Sequence, residues 1–128
     1  MKILCQKNIR ITSYLVFSHF IVPKQYSHIL IVSGDRNFLN DVWGTVINMF
    51  KYIDTLTEIK VSGNTIEDAA NYNTISKCLA TKDNYEEIAG FCGRDLFIVC
   101  DEPTTPFEHL QVLEGYGSTD RLFYVQIK

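Results

Sequence analysis

A chain of 128 residues with 46% hydrophobic and 21% charged side chains has the composition of one folded domain and excludes a disordered tail or fibrous repeat. Its net charge of −3 gives no cationic footprint for a phosphate backbone. That excludes a stand-alone electrostatic binder of nucleic acid, though not a subunit of a larger assembly. Four cysteines, Cys5, Cys78, Cys92 and Cys100, form no C-x2-C pair and have no His at zinc-ligand spacing, so they read as reduced, buried thiols of an intracellular protein.

Ile3-Leu4 is a short apolar start, and Thr12 to Val22 reads as a helix stopped by Pro23. Its apolar part, Tyr14 to Val22, is far shorter than the roughly 20 residues of a membrane span and has no signal-cleavage site after it, so a core helix is expected. Ile29 to Val32, closed by Gly34, is a continuous apolar run, the pattern of a strand buried on both faces. An amphipathic helix follows: Leu39, Val42, Trp43, Val46, Ile47, Phe50 and Ile53 recur at helical steps, with Asn37 or Asn40 placed to cap its start.

Glu58 to Val61 and Thr74 to Leu79 alternate apolar and polar residues and read as half-exposed strands, with turns at Gly63-Asn64 and Asn71-Tyr72-Asn73. Leu96 to Cys100 is a second fully buried strand. Thr105-Pro106-Phe107-Glu108 spells an N-cap, a first-turn proline and a capping-box glutamate for a helix through about Leu113. Leu122 to Ile127 is a last strand. Buried strands alternating with helices predict one α/β domain over 1–128 with a mostly parallel sheet.

Functional groups of such a sheet gather beyond the C-terminal ends of its strands, and Asp101 and Glu102 lie there. A buried strand ending in Asp-Glu is the Walker B pattern. Its Asp helps to hold the magnesium ion on the β- and γ-phosphates, and the Glu can orient or deprotonate the attacking water. The matching phosphate loop has one place, Cys5 to Ser13, CQKNIRITS. There Thr12 and Ser13 stand at the magnesium-binding hydroxyl position, while Arg10-Ile11 replaces Gly-Lys. Lys7 or Arg10 replaces the missing charge only in part, so hydrolysis is expected to be impaired or lost.

In the order and spacing of these features the chain resembles the ATPase domain of the large terminase subunit, the DNA-packaging motor of tailed phages and herpesviruses. QKNIRITSYLVFSHFIV looks like that family's loop and first helix, and HILIVSGDRNFLNDVWGTVINMF like its next strand and helix. The segment from Ser62 to Glu102 resembles its hairpin, short turn and Walker B strand, and DRLFYVQIK the strand leading to its coupling motif. The resemblance implies a P-loop NTPase-like three-layer fold. It makes Thr12 and Asp101 magnesium ligands, Glu102 the catalytic residue, and Lys7, Arg10, Thr12 and Ser13 the groups around ATP.

It also implies other terminase or motor subunits and the portal as partners, and viral double-stranded DNA only within that assembly. The location would be a host nucleus or a bacterial cytoplasm, with no membrane. The Walker glycine and lysine, the coupling motif and a nuclease domain are missing, which describes a degenerate ATPase or a structural or regulatory paralogue. This reading expects the Thr12 helix to begin beside the Asp101 strand end, and Ile3-Leu4 to pair next to the Leu96–Cys100 strand.

A second resemblance starts at Ser33-Gly34-Asp35-Arg36-Asn37-Phe38, similar to the opening of small Rossmann-like domains that bind nucleotide-derived signals (the SLOG, or lysine-decarboxylase-like, group). It implies a phosphate at the Gly34 turn and helix start, a further glycine turn at Val61-Ser62-Gly63, and a helix from Asp68-Ala69-Ala70. A structural viral α/β protein without a site is the third reading. His19 is expected to be packed and satisfied, and His28 and His109 to lie at the surface. Tyr14, Phe17, Phe20, Trp43, Phe50 and Phe97 are expected on core faces.

Overall fold

The two continuous apolar runs lie side by side at the centre of the sheet, where both faces are covered. A computed structural model describes residues 2–21, 28–52, 59–68, 73–91, 95–116 and 122–128. In chain order the elements are β1 (Lys2–Cys5), α1 (Ile9–Ile21), β2 (His28–Ser33), α2 (Arg36–Lys51), β3 (Ile59–Val61), β4 (Thr65–Asp68) and β5 (Asn73–Leu79). Then come α3 (Glu86–Ala89), β6 (Leu96–Asp101), a 3-10 turn (Glu102–Thr104), α4 (Phe107–Tyr116) and β7 (Leu122–Ile127). Among the described residues the strands form one sheet in the order β1-β7-β6-β2-β5-β4-β3. The pairs from β1 to β5 are parallel, and only the β3–β4–β5 edge is antiparallel.

Every residue of β2 and β6 is buried, because helices cover both faces. On one face Ile29, Ile31, Phe97 and Val99 pack under α1 and α2, against Val16, Phe20, Val42, Trp43 and Val46. On the other, Leu30, Val32, Ile98 and Cys100 pack with Ile88 of α3 and Leu113 and Tyr116 of α4. Adjacent strands β2 and β6 therefore lead into helices on opposite faces, α2 after β2 and α4 after β6. The crevice between their C-terminal ends is the switch point where parallel sheets place ligands.

The expected α/β class, mostly parallel sheet and helical layers are present, and β7 has the predicted bounds. Several details differ. β1 pairs with β7, with Cys5 opposite Ile127, and β7 separates it from β6, so the expected direct pairing of Ile3-Leu4 beside Leu96–Cys100 is overturned. The cap of α2 is Asp35, whose carboxylate accepts the Phe38 N–H, rather than Asn37 or Asn40. The Thr105 hydroxyl donates back to the Asp101 carbonyl at 2.7 Å and so does not cap α4.

β4 and α3, four residues each, are additional to the expected elements. The turn at Gly63-Asn64 is present, closed by the Ser62 N–H on the Thr65 carbonyl. Asp68 is the last residue of β4, and Ala69 and Ala70 lie outside the described residues. So do Val22, Pro23, Ile53, Asn71, Tyr72 and Cys92.

His19 is packed as expected, with Nδ1 2.8 Å from the Leu15 carbonyl and its ring 4.2 Å from that of Phe97. His28 and His109 are not at the surface: both are buried, held by Ser76 Oγ at 2.8 Å and Asn84 Oδ1 at 2.7 Å. Tyr14 faces outward, 65% exposed, because it falls on the side of α1 away from Val16 and Phe20. Among the described residues no helix is long and apolar enough to cross a membrane.

Candidate functional site

Ser33 pairs with Asp101, and Asp101 with Ile127, so the C-terminal ends of β2, β6 and β7 are level. Two turns meet at this rim. After β2 the chain turns through Gly34 and Asp35 into α2, and after β6 it turns through Glu102–Thr104. Gly34 is needed for the approach: a Cβ built there would stand 2.0 Å from the Thr104 carbonyl oxygen, a contact that no side chain survives.

The Gly34 N–H donates to Thr104 Oγ1 at 2.9 Å and the Asp35 N–H to Ser33 Oγ at 3.0 Å. Each hydroxyl then donates to the same oxygen, Asp101 Oδ2, at 2.9 Å. The Lys7 ammonium completes the set at 3.0 Å from that oxygen and 3.0 Å from Asp35 Oδ2. The other oxygen of Asp35 is held by the Phe38 N–H at 3.1 Å. A buried carboxylate thus has a cation and two hydroxyl donors on one oxygen, the arrangement that makes a buried charge tolerable.

Burial alone would lower the Lys7 pKa, but hydrogen bonds to Asp35 and Asp101, with their charges, outweigh it and raise it above the ordinary lysine value. The Phe38 N–H first, and the Lys7 hydrogen bond second, hold Asp35 below the usual carboxylate range. Lys7 reaches Asp101 across the end of β7, a separation of about 10 Å between β1 and β6 at ordinary strand spacing.

The remaining sequence-predicted site residues divide. Thr12 is buried in α1, and its Oγ1 and Asp101 Oδ1 have no hydrogen-bond partner among the described residues. Ser13 is turned inward, donating to the Ile9 carbonyl at 2.6 Å, with the Val42 carbonyl of α2 3.5 Å away. Arg10 is exposed on α1. Glu102 opens the 3-10 turn after β6 and is directed away from Asp101, toward Tyr124 on the α4 side of the sheet. Its Oε1 accepts from the Tyr124 hydroxyl at 3.0 Å, and it lines a separate cleft of about 520 Å³ with Lys2, Phe107, Leu110 and Glu114.

ATP and magnesium fit this rim poorly. Only Gln6, Lys7 and Asn8 connect β1 to α1, and α1 already begins at Ile9, three residues ahead of Thr12. Asn8 caps that helix, accepting the Ile11 N–H on Oδ1 at 3.0 Å, so the glycine-rich span that would wrap phosphates is replaced by a helical turn. Asp101 and Thr12 each keep one unpartnered buried oxygen, but the place of a cation beside Asp101 is filled by Lys7.

Ser33 and Thr104 are the site residues that the terminase comparison did not single out. Ser33 belongs to the second resemblance, and Thr104 lies between Pro103 and Thr105 in the run after Asp101-Glu102. Models of known protein families and curated proteins give no match to this chain.

Proposed function

We propose that this chain is a terminase-like P-loop domain whose nucleotide site is closed by its own lysine, so that it serves a viral DNA-packaging assembly as a structural or regulatory subunit rather than an ATP hydrolase. One observation carries the loss of hydrolysis: the Lys7 ammonium is 3.0 Å from Asp101 and from Asp35. A lysine that neutralises the strand-end Asp is not free for a transferring phosphate, and that charge is most of what such a site contributes. Glu102, directed to Tyr124, stands on the opposite face from Asp101 and cannot act on the same ligand without reorienting.

Support for the kinship is the order of elements and the convergence of the β1–α1 connection on the end of β6, through Lys7 and Asp101. Against it, β7 stands between β1 and β6, so the direct pairing that this kinship called for is absent. The signal-binding alternative is disfavoured by the α2 start. The Gly34, Asp35 and Phe38 N–H groups that would receive a phosphate already donate to Thr104, Ser33 and Asp35, and the Asp35 carboxylate occupies the helix end.

Calorimetry with ATP and magnesium, alongside a phosphate-release assay, tests the closed site. No magnesium-dependent binding and no turnover are expected. Magnesium-dependent ATP binding that disappears in Asp101→Asn, with phosphate release, would sink the claim. Sedimentation with large-terminase and portal subunits tests the assembly role, and a chain that remains unbound removes it.

A further inference from the structure

A second polar cavity, of about 170 Å³, opens one strand beyond β2 on the α2 side of the sheet. Among the described residues its lining is Arg36, Leu39, Asn40, Asn64, Lys77 and Leu79: two cations, two amides, two leucines and no carboxylate. Three parts of the fold, α2, β5 and the β3–β4 turn, converge to make it. Arg36, Asn40 and Trp43 fall at i, i+4 and i+7 of α2 and so share the stripe that faces β5. Lys77 stands on the same sheet face as Ile75 and Leu79, and its ammonium lies 4.9 Å from the centre of the Trp43 ring. Asn64 comes from the β3–β4 turn, fixed there by its carbonyl accepting the Lys77 N–H at 3.0 Å.

A lysine set under a helix on the inner face of a strand needs a reason. Neither Lys77 nor Arg36 makes an ion pair among the described residues, and burial pushes the Lys77 pKa down. Two positive groups that converge on one cavity without a counter-charge repel each other, and Lys77 is also partly desolvated. The ring of Trp43 offsets this for Lys77 only in part, since a cation–π contact is worth less than a charge-assisted hydrogen bond. An anion bridging the two would relieve both costs. The amide donors of Asn40 and Asn64 suit the remaining oxygens of a tetrahedral oxyanion.

We propose that this cavity is a phosphate-binding site, in which Arg36 and Lys77 hold the charge of a phosphate group and Asn40 and Asn64 orient its oxygens. The volume admits the phosphate and little more, so any organic part of the ligand stays outside. The site is separate from Asp101 and Lys7 and does not depend on the packaging role: it uses neither magnesium nor any residue of the Lys7 network.

The chain has a single tryptophan, and it is the one under Lys77. Trp43 fluorescence therefore reports on the site directly. The full chain is titrated, without metal, with inorganic pyrophosphate at constant ionic strength. Parallel titrations with ADP and with a short single-stranded oligonucleotide distinguish a small phosphate ester from a polynucleotide backbone as the source.

The expected result is a saturable Trp43 change with at least one of these probes. The apparent affinity should fall tenfold or more in Arg36→Gln and in Lys77→Met (which keeps the apolar stem on Trp43), and persist in Lys7→Gln. Backbone amide spectra of each variant establish that it is folded. No saturable change with any probe at millimolar concentration overturns the proposal, as does binding that survives both Arg36→Gln and Lys77→Met in folded protein.

Discussion

Lys7, in the connection that leaves β1, and Asp101, at the end of β6, meet at 3.0 Å across the end of β7. This contact joins the β1–α1 connection to the β2–α2 turn and the end of β6, because Asp101 Oδ2 also receives Ser33 and Thr104. Three segments that no single strand pairing unites are therefore held by one oxygen atom.

Removing the cation should expose what it offsets. The Asp101 side chain is 1% exposed and that of Lys7 31%, so Lys7→Met leaves a buried carboxylate with only hydroxyl donors. The expected loss is about 1–3 kcal/mol, below the figure for a wholly buried pair because solvent reaches the lysine. The double variant Lys7→Met/Asp101→Asn should lose less than the sum of the two single changes, read from urea midpoints. Strict additivity would mean that the two residues are not coupled.

Gly34→Ala tests the closure of the two turns. The new Cβ would lie 2.0 Å from a backbone oxygen of Thr104, which cannot rotate away as a flexible side chain would. One turn must shift, breaking the Gly34 N–H bond to Thr104 Oγ1 and loosening the donor to Asp101. Destabilisation of about 1–3 kcal/mol is expected from the overpacking. Amide exchange should quicken at the starts of α2 and the 3-10 turn. Unchanged protection in those two segments would show that the contact is slack.

Stability should be greatest over a plateau whose limits come from three groups. Burial, outweighing Glu108 and Glu87, holds His109 below its ordinary value of 6.5, and its Nδ1 is buried without a partner among the described residues. Its neutral form favours the fold, so this contribution is complete above 6.5 and is lost as pH falls through the lowered folded value. Asp35, lowered from 3.8, adds a second loss at still lower pH. Lys7, raised from 10.5, is fully stabilising below 10.5 and loses its contribution as pH rises through its higher folded value. Urea midpoints across this range test the assignment: His109→Gln should flatten the limb just below 6.5 and leave the other two. An identical slope there in both proteins would remove His109 from it.

How far the chain could be read from its residues depended on the length of the pattern. β2, β6 and α2 were legible because continuous apolar runs and a helical stripe extend over several residues. β4 and α3, four residues each, are too short to show a period. The apolar pattern starts α1 at Thr12, whereas Asn8 caps it from within a polar run that also suits a loop. At the site, Asp101 and Lys7 were visible as strand-end acid and nearby base. The parts played by Ser33 and Thr104 were not, since the register between β2 and β6 joins residues 68 apart along the chain. Nor was the divergence of Asp101 and Glu102, since Glu102 begins the 3-10 turn rather than continuing β6, and strand alternation does not fix where it points.

The thiols give the last prediction. Cys100 sits on the α4 side of β6, where burial pushes its pKa up to about 11, against hydrogen bonds with Tyr124 and Thr105 that lower it. Cys78, pushed up to about 12 by burial first and then by the Glu87 carboxylate 3.6 Å from its sulfur, is still less inclined to ionise. Because the thiolate is the reactive form, both should resist alkylation in the native state near neutral pH and react only as fast as the fold opens. Cys5, only partly buried, should be modified first of the three. Peptide-resolved labelling against time, in the absence and presence of urea, measures this. Labelling of Cys100 as quick as that of Cys5 in the native protein would mean that the α4 face of the sheet opens far more readily than its packing implies.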